Sequence, residues 1–386
     1  MRNKILQVLL LLNLMPVTCV LSQENYKNKD VKNEYHNKDF YDVKIYSDKE
    51  LKFKKNPKNI ILLIGDGMGV SQVFSGITAN KGKLHLQNMK AIGFSKTQSA
   101  SNYITDSAAG GTALSCGKKT YNGAIGVDSD KKSIESILEI AERNNKATGL
   151  VSTSAITHAT PASFIAHQPD RGMYEEIAAD FLETEIDVFI GGGKTFFTNR
   201  KDGQDLCKKL KENGYEMFDK LEDAESVRDG KLGVLTAPEH NGKFSERGDM
   251  LQKATAKALE ILSKDKDGFF LMVEGSQIDW GGHQNNTSFV VGEMLDFDKM
   301  IGQVLEFAVK DRETLVIVTA DHETGGIAIM DSDMSTGFVK AKFTTGGHTG
   351  VMVPVFAFGP GAEEFMGIYE NTAIFDKMLK LYRFKK

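Results

Sequence analysis

The chain of 386 residues has only three cysteines and no apolar run of the length that spans a membrane. A membrane helix needs about 20 consecutive apolar residues, so we expect no transmembrane anchor. The three cysteines, Cys19, Cys116 and Cys207, are too few for a disulfide framework. If Cys19 leaves with an export signal, the other two either form one disulfide or remain two free thiols.

Basic residues are not in excess either. The 48 Lys and Arg residues stand against 52 Asp and Glu residues, which gives a net charge of −4. Proteins that bind nucleic acids neutralise phosphates with a basic surface, so we expect no nucleic-acid partner.

Three catalytic signatures are also missing. The absence of a Gly-x-Ser-x-Gly segment argues against a hydrolase triad on a nucleophile elbow. The glycine-rich run at residues 65–69 does not have the Gly-x-Gly-x-x-Gly spacing of a dinucleotide loop. Ser107 lacks the Cys/Ser-x-Pro-x-Arg context that a sulfatase nucleophile needs.

The N-terminus has the pattern of an export signal. A positive start precedes an apolar stretch at residues 5–15, and compact residues follow at 20–22. We predict a signal peptide over residues 1–22, cleaved after Ser22, and a periplasmic or secreted mature protein. Lipid attachment at Cys19 stays open, although the residues before it match such a signal poorly.

The rest of the chain divides into a polar segment and one long domain. Residues 23–57 are rich in Lys, Asn, Asp and Tyr, which predicts an exposed polar arm. From residue 58, short apolar runs without alternation are typical of strands buried on both faces, and helical patterns at 133–144 and 246–263 lie between them. We therefore predict an α/β fold, with a mainly parallel central sheet flanked by helices on both faces, and one catalytic domain over residues 58–386. The predicted strands are at residues 60–64, 148–151, 188–190, 269–273, 315–318 and 353–358.

Four of these strands are followed by side chains that bind metal ions. Asp66 follows the first strand and His158 comes soon after the second. Glu274 follows the strand at 269–273, and Asp321 with His322 follows the one at 315–318. Ligands of such sheets bind beyond the carboxyl ends of the strands, so these residues predict a site at one edge. Taken singly, Asp66 also fits a Gly-Asp-Gly turn, and Asp321 fits a strand-end turn in which it caps the next element.

Asp279 and His283 are four residues apart, which places them on one face of a helix. With His348 they make the two-histidine, one-carboxylate set of a catalytic zinc site. The pair alone is also typical of a solvated helix face.

The segment at residues 105–113 predicts a helix that begins at Ser107. Thr105 or Asp106 would cap it, and its small residues let other groups approach closely. Backbone N–H groups at a helix N-terminus favour an anion, so Ser107 is a candidate nucleophile at an anion-binding position. Simple helix capping explains the same residues.

In their order along the chain, these motifs resemble the alkaline phosphatase family from about residue 59 to 384. The resemblance implies hydrolysis of small phosphate monoesters to an alcohol and inorganic phosphate, through a phosphoserine on Ser107. The matching segments are NIILLIGDGMG (59–69), TDSAA (105–109), ATPA (159–162), VEG (273–275) with Asp279 and His283, TADH (319–322) and HTG (348–350).

The resemblance also implies two Zn²⁺ ions and one Mg²⁺ ion. One zinc would be held by Asp279, His283 and His348. The other would be held by Asp66, Asp321 and His322, and would contact Ser107. Magnesium would be held by Asp66, Thr160 and Glu274. Arg171 would grip the phosphate, since a guanidinium matches two of its oxygens.

His158 and Trp280 depart from the best-known bacterial pattern, which has Asp and Lys there, and are similar to short alkaline phosphatases of other bacteria. Without the lysine, we expect weaker phosphate binding and easier product release. His158 would act through a water beside the third metal, or would favour a different ion there. The large insertion of some His/Trp relatives is absent, so their dimer arrangement cannot be carried over, and a homodimer stays open.

Two other functions stay open from the residues. A phosphodiesterase of the same superfamily would share the metal ligands, and paired assays on mono- and diesters distinguish it. A metal- or phosphate-binding module without catalysis would bind phosphate and not turn it over. We assign no metal to His36, His85, His167 or His240.

Overall fold

The computed structural model describes residues 33–384, within which the chain forms fifteen strands and twelve α-helices. The strands are β1 (Glu34–His36), β2 (Asn59–Gly65), β3 (Ala91–Lys96), β4 (Ala147–Ala155), β5 (Val188–Gly192), β6 (Tyr215–Phe218), β7 (Lys231–Leu235), β8 (Phe269–Gly275), β9 (Thr314–Thr319), β10 (Glu323–Thr324), β11 (Ile327–Ile329), β12 (Phe338–Phe343), β13 (His348–Thr349), β14 (Val353–Phe358) and β15 (Gly367–Glu370). The helices are α1 (Val70–Ala79), α2 (Ser107–Cys116), α3 (Ile137–Arg143), α4 (Ala159–Ala162), α5 (Tyr174–Asp180), α6 (Lys194–Thr198), α7 (Leu206–Glu212), α8 (Phe244–Arg247), α9 (Met250–Leu262), α10 (Gln277–His283), α11 (Thr287–Asp311) and α12 (Thr372–Tyr382).

A ten-stranded sheet forms the centre of the molecule, in the order β15-β3-β14-β9-β2-β8-β4-β5-β7-β6. The seven strands from β9 to β6 pair in parallel. Strand β14 is antiparallel to both of its neighbours, β9 and β3. The predicted α/β class with a mainly parallel sheet is confirmed, and β14 is the exception to the parallel direction.

The strands are apolar throughout because both faces of the sheet are covered. In β2, Ile61 and Leu63 pack in a cluster with α1, α9 and α11, whereas Ile60, Leu62 and Ile64 pack on the opposite face with α2, α3 and α12. All seven residues of β2 are buried. A strand of this kind shows no alternation, which is why its sequence is a continuous apolar run.

Two helices have different bounds in the structure from those that the sequence predicts. The helix predicted at 133–144 begins only at Ile137, because Ser136 and Glu139 form a capping box at its N-terminus. The pattern at 246–263 is divided between the short α8 and the longer α9, with Gly248 at φ +59° between them.

The described part of the predicted polar arm packs against the domain. Strand β1 pairs with β12, and Asn37 Nδ2 donates to Ala79 O at 2.9 Å. Tyr46 is buried in the same cluster as α1 and α11. Most residues of 33–57 are exposed, and Asn37 and Tyr46 anchor the segment to the domain, while residues 1–32 lie outside the described part.

Cys116 and Cys207 are both free, which answers the question that the sequence left open. Among the described residues, no helix has the length and apolar character needed to cross a membrane.

Candidate active site

The four strands that precede the predicted ligands are consecutive neighbours, in the order β9-β2-β8-β4, at the centre of the sheet. Asp66 directly follows β2, and Glu274 is the penultimate residue of β8. Asp321 and His322 follow β9, and His158 follows β4. Because these strands are parallel, their carboxyl ends lie at one edge, and the predicted side chains meet there.

Helix α2 begins at Ser107, as the sequence predicts. Asp106 is its N-cap, and its Oδ1 accepts from Ala109 N at 3.0 Å. The other oxygen, Oδ2, accepts from Arg171 Nη1 at 3.0 Å. One carboxylate therefore fixes both the start of the Ser107 helix and the guanidinium of Arg171. Ser107 is 2% exposed, and its Oγ lies 3.2 Å from His322 Nε2.

Asp279, His283 and His348 form a group whose ligand atoms all lie within 4.8 Å of one another. His283 Nδ1 lies 2.8 Å from Gly346 O, and His348 Nδ1 lies 2.9 Å from Thr105 O. A carbonyl oxygen only accepts, so both Nδ1 atoms carry hydrogen and donate. The two Nε2 atoms are 3.2 Å apart and must share a cation, either a proton or a metal ion.

His322 belongs to a second group, with Asp66 and Asp279. Asp321 lies beside this group, with its Oδ2 3.3 Å from His322 Nε2. Thr324 orients the ring, since its hydroxyl donates to Asp279 Oδ1 and accepts from His322 Nδ1, 3.2 Å away. His322 Nε2 is thereby left with a lone pair that points towards Ser107 and the carboxylates.

The third group contains Asp66, His158 and Glu274. Glu274 Oε2 accepts from Ser152 Oγ at 2.7 Å and from Ser276 Oγ. Its other oxygen, Oε1, is buried without a hydrogen-bond partner, as is His158 Nδ1. Thr160, the predicted third-site ligand, is fully buried at the start of α4.

The site has buried carboxylate oxygens that metal ions would satisfy. Both oxygens of Asp66 and Oδ2 of Asp321 are buried without a hydrogen-bond donor. Burial and the Asp321 carboxylate raise the pKa of Asp66 well above its ordinary value, and burial with Asp279 raises the pKa of Asp321 to about 7. Divalent cations supply the charge that such a cluster lacks, so the residues fit the metals that the sequence implies.

An aromatic cluster of His158, His240 and Trp280 borders the third group. His158 Nε2 lies 3.2 Å from Arg171 Nη2, which places the ring against the guanidinium. Burial lowers the pKa of His240 to about 4, so this ring is neutral at ordinary pH.

Sequence reasoning missed the roles of three residues of this site. The sequence indicates only a cap at Asp106, although its second oxygen holds Arg171. Thr324 stands two residues after His322, and that proximity was the available signal. His240 lies in a loop about 80 residues beyond His158, and nothing in the neighbouring sequence indicates its contact with His158 and Trp280.

A family model described as alkaline phosphatase matches residues 57–341. The chain belongs to the alkaline phosphatase family. Alkaline phosphatase 3 of Bacillus subtilis is 36% identical over 85% of this chain and 89% of its own length. The alkaline phosphatase of Escherichia coli is 33% identical over 84% of this chain and 86% of its own length.

The solved structure of alkaline phosphatase from the Antarctic bacterium TAB5 superposes with a TM-score of 0.83. It is 49% identical, and the match covers 86% of this chain and 100% of that one. As a member of the alkaline phosphatase family, the chain is a metal-dependent hydrolase of phosphate monoesters. The predicted family, enzyme class and reaction are confirmed.

Proposed function

We propose that Ser107 is the nucleophile of this phosphatase and becomes phosphoserine during turnover. The observation that carries the proposal is the position of Ser107 Oγ, at the N-terminus of α2 and 3.2 Å from His322 Nε2. Backbone N–H groups at this end of the helix favour a phosphate anion. The hydroxyl and the candidate metal groups face the same edge of the sheet.

Two zinc ions and one magnesium ion are proposed for the three groups of ligands. Imidazole and carboxylate together suit zinc, and oxygen ligands suit magnesium. When bound, paired ions stabilise charge on the attacking and leaving oxygens of an in-line displacement. A variant of the TAB5 enzyme with a histidine replaced by aspartate has Mg bound in its M3 site, which supports magnesium among these metals. The proposed zinc ligands are Asp279, His283 and His348 for one ion and Asp66, Asp321 and His322, with Ser107, for the other; those of magnesium are Asp66, Thr160 and Glu274.

Arg171 and Ser107 have separate roles in the reaction. Arg171 binds two phosphate oxygens and holds the phosphorus in front of Ser107. Ser107 Oγ forms a bond to phosphorus while the bond to the ester oxygen breaks, and the released alcohol takes up a proton. Water then cleaves the phosphoserine, which yields inorganic phosphate and restores the Ser107 hydroxyl.

His158 and Trp280 are proposed to affect the third metal and product release. Trp280 brings no positive charge to the phosphate, so inorganic phosphate is expected to leave more easily than from a site with lysine. His158 lies within reach of Asp66 and Glu274, which supports a direct effect on the third metal.

The direct test is replacement of Ser107 by alanine, with Ser115→Ala as the matched control on the same helix. Ser115 is buried and donates to Ser163 O at 2.6 Å, away from the metal groups. We expect Ser107→Ala to lower kcat by about 10³-fold or more, whereas Ser115→Ala keeps turnover within a few-fold. Acid quenching of the wild-type enzyme during turnover should trap phosphate on Ser107, detectable by peptide mass spectrometry. Wild-type turnover by Ser107→Ala would refute the proposal.

Small phosphate monoesters are the proposed substrates. The measurement is kcat/KM for a monoester and a diester that share one leaving group. Faster hydrolysis of the diester would contradict the assignment.

We further propose the division into a signal peptide at 1–22, a polar segment at 23–57 and a catalytic domain at 58–386, with export to the periplasm or medium. N-terminal sequencing of the exported protein should find residue 23 first. Sedimentation would test the homodimer that the sequence leaves open.

A further inference from the structure

His240 makes contacts that connect a surface loop to the phosphate-binding side of the site. Its ring centroid lies 5.6 Å from that of His158 and 5.0 Å from that of Trp280, with interplanar angles of 86° in both pairs. His158 and Trp280 meet at 6.2 Å, also at 86°. Edge-to-face contacts of this kind are favourable beyond the area they bury.

The loop that carries His240 is held firmly at the edge of the sheet. Ala155 N, at the end of β4, donates to His240 Nδ1 at 3.1 Å. Gln277 Nε2 in α10 donates to Asn241 O at 2.9 Å. A Cβ on Gly192, at the end of β5, would lie 2.1 Å from Glu239 O, so the loop rests directly on the glycine backbone. The imidazole therefore has a defined position relative to three elements of the site.

The acceptor role of Nδ1 also defines the tautomer. Because Nδ1 accepts from Ala155 N, the neutral ring carries its hydrogen on Nε2. One ring thus satisfies a backbone N–H group and at the same time contacts the two side chains at which this chain departs from the best-known bacterial pattern.

His158 transmits the position of this cluster to the phosphate-binding arginine. Its Nε2 lies 3.2 Å from Arg171 Nη2, and Arg171 Nη1 donates to Asp106 Oδ2 at 3.0 Å. Asp106 in turn caps the helix of Ser107. A tilt of the His158 ring would therefore move or loosen one arm of the guanidinium.

We infer that His240 is a positioning residue for phosphate recognition, which holds His158 and Trp280 edge-to-face and, through His158, orients Arg171. In this role His240 acts through His158 and not by contact with the phosphate. The inference rests on the proposed function, because it assigns the phosphate contact to Arg171.

The chain offers a direct probe, since Trp280 is its only tryptophan. Selectively excited tryptophan fluorescence of the metal-loaded enzyme therefore reports on the surroundings of Trp280 and does not depend on activity. The variants are His240→Ala, which removes the ring, and His240→Asn, which restores an acceptor for Ala155 N without the ring. The control is His36→Ala, an exposed histidine on β1 that stacks on Phe338.

For His240→Ala we expect acrylamide quenching of Trp280 to rise about twofold, and both KM and the inhibition constant of inorganic phosphate to rise about fivefold, the size of one lost aromatic pair. The value of kcat should change less than KM, and His36→Ala should match the wild type.

If the ring carries the effect, His240→Asn behaves as His240→Ala does. Unchanged quenching, KM and phosphate inhibition in a folded His240→Ala enzyme would overturn the inference. If the wild type is active and His240→Ala behaves like it, the proposed function stands and only the role of His240 is refuted. If Ser107→Ala is active, the proposed function itself is refuted.

Discussion

Thr324 connects two of the candidate metal groups through one hydroxyl. It donates to Asp279 Oδ1 and accepts from His322 Nδ1, so it fixes the carboxylate of one group and the ring of the other. Mutation of groups that orient metal ligands in this way typically costs about 10- to 100-fold in metal affinity or activity.

We predict that Thr324→Val lowers zinc affinity or kcat by about 10- to 100-fold, because the methyl group can neither donate nor accept. Thr324→Ser keeps the hydroxyl and should stay close to the wild type. The measurement is zinc titration of the apo-enzyme, followed by turnover at saturating zinc. Equal behaviour of the valine and serine variants would show that the hydroxyl does not orient the ligands.

At this scale, the residue types of the site are predictable from the sequence and their partners are not. Asp66 directly follows β2, and Asp321 with His322 comes soon after β9, so their position at the sheet edge follows from local pattern. The contacts of Asp106 with Arg171 and of His240 with His158 join residues 65 and about 80 positions apart. No local pattern specifies such pairs, because tertiary packing creates them.

Helix α3 is joined to the segment after α4 by an ion pair. His167 Nε2 lies 2.9 Å from Glu139 Oε1, and His167 Nδ1 lies 2.7 Å from Gly126 O. Both partners only accept, so the folded protein favours the doubly protonated ring. Although burial opposes it, the hydrogen bond from His167 to Glu139 raises the pKa of His167 above its ordinary value of 6.5.

This pair predicts a pH-dependent stability. A raised histidine pKa stabilises the fold fully below the ordinary pKa, and the contribution is lost as the pH rises through the folded value. We expect His167→Gln to lower the free energy of unfolding by about 0.5–1 kcal/mol at about pH 6 and by less at about pH 9. Urea unfolding of both proteins at the two pH values measures the difference. A larger loss of unfolding free energy at the alkaline pH would contradict the predicted direction of the pH dependence.

The turn between β2 and α1 depends on Gly67. Its φ is +71°, and a Cβ there would lie 2.7 Å from Thr324 Oγ1 and 2.8 Å from Asp279 Cα. Gly203 has the same φ of +71°, but a Cβ added there would have nothing within 4 Å. The two glycines therefore separate backbone strain from crowding of the site.

We predict that Gly67→Ala and Gly203→Ala both lose about 1–2 kcal/mol of stability through the left-handed backbone. Only Gly67→Ala should also lose turnover, by about tenfold or more, because its methyl group displaces Asp279 and Thr324. Urea unfolding and kcat measurements check the two parts. Full turnover in Gly67→Ala would mean that the turn tolerates the methyl group.

Strands and helices are predictable from the sequence where the apolar pattern is strong. All six predicted strands occur, since even apolar runs of three to six residues mark strands that are buried on both faces. Helix starts are less predictable, because the capping box at Ser136 and the break at Gly248 override apolar periodicity. The antiparallel direction of β14 has no local signature, since the apolar pattern of a strand does not depend on its direction in the sheet.

At the scale of the molecule, the sheet order produces the site. Strands β9, β2, β8 and β4 come from distant parts of the chain but are neighbours at the centre of the sheet. The small pair of β10 and β13 then brings His348 beside Thr324. Ligands from Asp66 to His348, far apart in the sequence, thus meet at one edge. Sequence order alone does not specify this adjacency, but the resemblance to the alkaline phosphatase family does imply it.

Metal ions fit the whole arrangement, because carboxylate oxygens of Asp66, Glu274 and Asp321 are buried without hydrogen-bond partners. The most direct test combines metal analysis with phosphomonoesterase assays before and after chelation, and again after return of zinc and magnesium. We predict bound divalent metal in the purified enzyme, loss of activity on chelation, and recovery when zinc returns. Full activity in protein shown to be metal-free would contradict metal-dependent catalysis at this site.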